Sequence, residues 1–371
     1  MNWRNTLRLK TRQPAFLWRM VLGMLAVGVV LGYVAEKVWL TGASYHQQPI
    51  ASQAAWENLK SLSEQYQWRQ LWWALPRVAY GRFSQLGPTG LAVLGGCCWF
   101  AFLVQAIEVR SHSKRRLGYL LLALPLGVLS IWPTHFMNFW QEQVWNLRPS
   151  RELIQGIRYY VFSVGLREEL AKLTCLLPLM PWLLRERNEL VAMLVSAGVG
   201  LGFAFAENVG YFYQTAGSST LGRFLMANPL HMTLTGLIGL AVYRGLRYPR
   251  DWGIHALAVF VIAVIAHGMY DACIDLPAFG EYSLLSIVIF ALVIYQFFAE
   301  LRSLRSAKGE VISLSATFLF GVSLLLATTF VYLSATQSFS LACDVLMTGA
   351  LAQAVMVYLF LREMPESMVS V

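Results

Sequence analysis

The chain has 371 residues, of which 57% are hydrophobic and only 13% charged, with a mean hydropathy of +0.52. A soluble domain carries about 25% charge, so an ordinary soluble globular protein is excluded and a polytopic helical membrane protein, all-α, is indicated. The net charge of +9 does not indicate nucleic acid: the basic residues sit in short segments between apolar runs, where topology signals belong.

The N-terminus pairs a basic start with an apolar run from about Pro14 to Val34. That run is too long for the apolar part of a signal peptide, so it is read as a retained first span. Apolar stretches of the length that crosses the hydrocarbon as a helix then recur, giving about ten expected spans. They lie near 16–38, 88–107, 116–134, 159–183, 190–213, 225–243, 254–275, 282–300, 311–334 and 340–361. One set of connecting segments holds 18 Lys and Arg residues and the alternate set 9. By the positive-inside rule the first set, and both termini with it, is cytoplasmic. The chain divides into residues 1–150 (the first spans with a Trp-rich extracytoplasmic loop, 41–87), 151–280 (a four-helix core) and 281–371 (three C-terminal spans), all within one membrane domain. The loop reads either as an amphipathic segment at the membrane interface or as a small folded cap; the stretch 135–158 reads as a shorter loop of the same kind. The five cysteines lie in apolar stretches with no CxxC pair, so a disulfide framework or thiolate metal site is not expected.

Four consecutive spans of the core carry ionisable residues inside apolar sequence: Glu168, Glu169 and Lys172; then Glu207; then His231; then His267 and Asp271. A charge at the bilayer centre costs about 2.5–3.5 kcal/mol, while a good apolar residue returns about 0.3–0.6 kcal/mol. Repeating that cost on neighbouring spans indicates a site. With a rise of about 1.5 Å per residue, these residues fall at similar depths in the outer half of the membrane. Glu168 and Lys172 are i,i+4, as are His267 and Asp271, so each pair shares a helix face. Glu169 is rotated by about 100° from Glu168, so one carboxylate faces a cavity and the other pairs with Lys172 or Arg167. The small residues Ser196, Ala197, Gly198, Gly200, Gly202, Ala204 and Ala206 precede Glu207 and allow close helix approach.

These residue types suit peptide hydrolysis. His231, His267 and Glu207, with Asp271 as ligand or orienting partner, are candidates for a His₂Glu-type zinc shell with one position left for water. Glu168 or Glu169 is then the base. In the metal-free alternative a glutamate activates water and the histidines, His231 foremost, stabilise the oxyanion.

Glu168-Glu169-Leu-Ala-Lys172, Phe203-Ala-Phe-Ala-Glu207-Asn208, His231-Met-Thr-Leu-Thr-Gly and His267-Gly268-Met-Tyr-Asp271 follow one another on consecutive spans. In that order the chain resembles the PrsW-type intramembrane proteases, distant relatives of the CAAX prenyl protease and bacteriocin-processing membrane proteins. The resemblance covers about residues 150–280. It implies an intramembrane endopeptidase in the bacterial inner membrane, cutting a membrane-protein substrate near the extracytoplasmic face, such as a single-pass anti-sigma-factor-like protein. Lys172, Phe203 and Asn208 enter as supporting positions of the motifs. The CAAX branch has a His where this chain has Glu207, so prenyl-protein specificity is not implied. The competing readings are an ion- or proton-coupled transporter, which would show internal repeats that this sequence lacks, and a non-catalytic membrane scaffold or sensor.

Overall fold

The computed structural model describes residues 3–39, 50–107, 113–282, 284–305 and 312–364, which are helical with short connections. Residues 41–49 of the Trp-rich loop, and the basic positions Arg110 and Lys308, lie outside the described residues. A short α1 (Trp3–Lys10) precedes α2 (Pro14–Trp39), the first long apolar helix. Then come α3 (Ile50–Glu64), α4 (Trp68–Ala79), α5 (Leu86–Ala106) and α6 (Ser113–Val144). The chain continues as α7 (Leu153–Tyr159), a π turn at Tyr160–Gly165, α8 (Leu166–Leu176), a tight turn at Leu177–Leu179 and α9 (Met180–Glu186). The central helix is α10 (Glu189–Gln214); α11 (Thr220–Gly222) runs through a second π turn, Arg223–Ala227, into α12 (Asn228–Arg247). The remainder is α13 (Pro249–Asp275), α14 (Leu284–Leu304), α15 (Leu314–Thr336) and α16 (Phe339–Glu363).

Among the described residues eight helical segments are long and apolar enough to cross a membrane, or nine with α16, which bends by 53°. The protein is therefore a multi-pass integral membrane protein. The expected span 159–183 is an interrupted run from α7 to α9: Arg167, Glu168, Glu169 and Lys172 lower its apolar content, and Pro178 and Pro181 restart the helix. The expected loop 135–158 is shorter than the sequence suggests, because α6 continues through Pro133 to Val144.

α10 is the axis of the bundle, buried at nearly every position from Leu190 to Val209. Its small residues allow that. A Cβ on Gly200 would sit 2.2 Å from the carbonyl oxygen of His231 in α12, and one on Gly202 would sit 2.1 Å from that of Leu124 in α6. α6 reciprocates through Gly127, whose added Cβ would meet the Val199 carbonyl at 2.0 Å. Backbone-to-backbone approach of this kind is what small residues provide in membranes, where apolar lipid leaves no hydrophobic drive between helices. Glycines also set α13 against the π turn: a Cβ on Gly268 would lie 2.5 Å from the Tyr160 carbonyl oxygen, and one on Gly165 would lie 2.5 Å from that of Val264. Gly268 of the His-Gly pair thus has a packing reason, and it brings His267 close to α8.

α2 packs along α15, where Gly28 meets Ala327, and exposes much of its remaining surface. α3 and α4 form a helical hairpin lying on α6. Leu59, Leu71, Leu75 and Phe139 make a small core there, and Trp72 stacks on Trp132 at 4.6 Å between ring centres. The Trp132 Nε1–H donates to the Trp72 carbonyl at 2.9 Å, tying the hairpin to the bundle. The described part of this segment is a helical cap packed on α6.

Candidate active site

α8 begins where the π turn ends, so Glu168, Glu169 and Lys172 occupy its first two turns. Single π turns inside helices re-aim the side chains that follow them. The turn at Tyr160–Gly165 directs this cluster towards α12 and α13. Glu168, Glu169, Lys172, His231 and His267 are all buried. Buried charges persist only when paired and hydrogen-bonded, and the pairing here is dense.

Lys172 Nζ donates to Glu169 Oε1 at 2.7 Å and to His231 Nδ1 at 2.9 Å, and lies 4.2 Å from the centre of the Phe203 ring. The same Glu169 Oε1 accepts from His267 Nδ1 at 2.7 Å. One carboxylate therefore orients both the ammonium and an imidazole. Because a carboxylate only accepts, Nδ1 of His267 carries the proton. Its Nε2 faces Glu168 Oε2 at 3.6 Å and Asp271 Oδ2 at 3.5 Å. His231 and His267 stand edge to face with ring centres 5.0 Å apart, and Phe203 packs 5.0 Å from His231 on another side.

Glu207 occupies the opposite wall. Its Oε2 pairs with Arg223 and lies 3.1 Å from His231 Nε2. Arg223 also donates to Asn208 Oδ1, and Asn208 Nδ2 donates to Asn228 Oδ1, so the FxxxEN segment of α10 is tied to the π turn before α12. The Arg223 guanidinium lies over the Tyr211 ring at 3.7 Å. In the sequence Arg223 registers only as a basic residue at a span end, and Asn228 and Tyr211 give no signal. A positive charge a few residues before a motif histidine on the same helical run could have marked Arg223.

The site opens into a cavity of about 790 Å³. Glu168, Glu207, His231, His267 and Asp271 line it, whereas Glu169 and Lys172 stand behind it. Of the two adjacent glutamates, then, Glu168 faces the cavity and Glu169 pairs inward with Lys172. His135 of α6 lines the same cavity.

Glu168, His231 and His267 each offer one ligand atom within 4.8 Å of the others. Glu168 Oε2 is buried without a hydrogen-bond partner, so its lone pairs are available to a cation or to the hydrogen of a water. His267 has its Nδ1 proton held by Glu169, the usual arrangement behind a metal-ligating histidine. One carboxylate and two imidazoles are a donor set that zinc accepts. Glu207 and Asp271 sit beside this trio, the first held by Arg223 and the second 27% exposed at its side chain.

The class of protein follows from these features: a multi-pass helical bundle that buries a carboxylate–histidine cluster beneath an open cavity. Residues 115–296, from the start of α6 into α14, match the family model described as PrsW family intramembrane metalloprotease. That stretch is similar to the core of the PrsW-type proteases, which supports reading the chain as an intramembrane protease acting on membrane-protein substrates within the lipid bilayer. No curated protein and no solved structure matches the chain.

Proposed function

We propose that the chain hydrolyses a peptide bond of a membrane-associated protein near the extracytoplasmic side of a bacterial inner membrane, with Glu168 as the group that holds the attacking water. The observation carrying this reading is that Glu168 alone of the two adjacent glutamates faces the cavity, its Oε2 free of any hydrogen bond and 3.6 Å from His267 Nε2. A single-pass anti-sigma-factor-like protein fits as substrate, because such a chain presents a cleavable segment at that depth.

Glu168 takes the proton of the water and returns it to the leaving amine. Glu169 and Lys172 do not touch substrate; they fix the orientation of both imidazoles. In the metal form Glu168, His231 and His267 would instead hold a divalent cation, expected to be zinc, which would supply Lewis acidity to the water and the scissile carbonyl in place of proton transfer by Glu168. Glu207 and Asp271 flank these three, Glu207 limiting the swing of His231 and Asp271 that of His267.

One observation favours a metal-free variant. An ammonium only donates, so Lys172 makes His231 Nδ1 an acceptor and places the ring proton on Nε2. In that tautomer His231 offers the developing oxyanion a hydrogen bond instead of offering a metal a lone pair. Elemental analysis of purified protein separates the two. About one zinc per chain, lost in His267→Ala, supports the metal form; absence of metal from a protein that still cleaves leaves the glutamate form.

A further inference from the structure

We propose that Arg82 and Arg167 form a carboxylate-binding subsite, so that the substrate is recognised by an acidic residue close to the bond that is cut. This deepens the protease reading and rests on it. Both arginines line the catalytic cavity, Arg167 adjoining Glu168 in sequence and Arg82 arriving from the turn between α4 and α5, beneath the helical cap. Arg82 lies outside the stretch that matches the family model.

Other cavity charges have partners. Arg223 pairs with Glu207, Asp271 lies against His267, and Asp275 accepts from the Tyr160 hydroxyl at 3.0 Å. Among the described residues neither Arg82 nor Arg167 has a carboxylate within 4.0 Å. Arg167 is nonetheless held firmly. Its Nη1 donates to Ser163 Oγ at 2.8 Å, Ser163 donates to Gln141 Oε1 at 2.9 Å, and Gln141 donates to the Phe162 carbonyl at 3.1 Å. With one edge of the guanidinium fixed, its Nε is left buried without an acceptor. Arg82 is set by its stack over Tyr213, 5.6 Å from the ring centre.

A buried guanidinium donor without a partner is a costly state, and a carboxylate is the group whose two oxygens match the guanidinium fork. The occupant is peptide, because the two arginines share with Glu168 the cavity where a scissile bond has to lie, a cavity that Trp56, Val78 and Ala79 of the cap also line.

The test measures binding, with the full chain carrying Glu168→Gln so that turnover does not interfere, in nanodiscs of zwitterionic lipid. The probes are labelled peptides with an apolar segment of about 20 residues and a flanking stretch through which one Asp or one Asn is scanned. Their C-termini are free or amidated, to separate a side-chain carboxylate from a terminal one. One Asp position should bind about 10-fold more tightly than Asn, within the range of a charge-assisted hydrogen bond. The preference should vanish in Arg82→Gln and in Arg167→Gln, and Arg82→Glu should favour a Lys peptide instead. Equal binding of all Asp and Asn peptides, or a preference that survives both substitutions, overturns the proposal. Arg82 sits in a partly exposed turn, so its two variants decide the matter even where Arg167→Gln fails to insert. Turnover persisting in Glu168→Gln would overturn the protease mechanism separately, without touching this result.

Discussion

Glu169 and His267, 98 positions apart, meet through a hydrogen bond of 2.7 Å on an oxygen that Lys172 also uses. This three-way contact sets the orientation of His267 towards Glu168. Glu169→Gln keeps the shape but removes the charge that Lys172 and His267 share. Loss of such orienting partners typically costs about 10–100-fold in activity or metal affinity, and that range is expected here. Glu169→Ala is expected to be worse, because it leaves the buried ammonium only His231 and the Glu168 carboxylate 3.9 Å away, and breaking a buried pair costs about 3–5 kcal/mol. Thermal unfolding and cleavage measured on both variants check the order: Glu169→Gln folded with activity reduced within that range, Glu169→Ala unstable.

The clamp on Glu207 gives a coupled prediction. Arg223→Ala leaves Glu207 without its ion pair and free to crowd His231 Nε2, 3.1 Å away. Activity should fall by roughly 10-fold or more, and Glu207→Gln added to Arg223→Ala should recover part of it, since residues in one network are not additive. A double variant as impaired as the product of the single ones would show that the two residues act independently.

Backbone contact makes Gly200 a sensitive position although it bears no side chain. Gly200→Ala places a methyl 2.2 Å from the His231 carbonyl oxygen, and α12 must shift to accept it. The expected result is an inserted protein with activity reduced by about 100-fold, because a displacement near 1 Å at a catalytic group has that effect. Gly90→Ala, where an added Cβ meets nothing within 4 Å, is the control and should behave as wild type.

The α3–α4 cap depends on aromatic contacts with α6. Trp132→Ala removes the Trp72 stack and the hydrogen bond to its carbonyl. Aromatic pairs are worth about 0.5–1.5 kcal/mol beyond burial, enough to loosen a small unit. Trypsin cleavage at Lys60 and Arg69 should accelerate several-fold in intact proteoliposomes, and the same digestion rate as wild type would contradict the packing.

Sequence reasoning reaches the site further than the fold around it. Helical spans and repeated buried charges are legible because lipid penalises each charge heavily, and helix rise along alternating spans brings Glu168, Glu207, His231 and His267 to one expected level, the residues that line one cavity. The i,i+4 spacing also puts Lys172 on the face of Glu168, yet its shortest contact is with Glu169 at 2.7 Å, against 3.9 Å to Glu168. Which glutamate faces the cavity is set by the π turn at Tyr160–Gly165, and no residue type announces such a turn. Arg223 is hidden for another reason: at a helix end its charge is read as topology, while its role against Glu207 arises only when α10 and the π turn before α12 come together. The helical cap is ambiguous in sequence because an interfacial helix and a packed hairpin share the same Trp-rich pattern.

The central claim, that Glu168 drives hydrolysis within the membrane, is tested most directly by comparing new protein N-termini in bacterial membranes expressing wild type or Glu168→Gln at matched levels. The account predicts a set of termini near the outer ends of single-pass proteins that appears with wild type and is absent with Glu168→Gln. The same termini in equal amounts with both chains would contradict it.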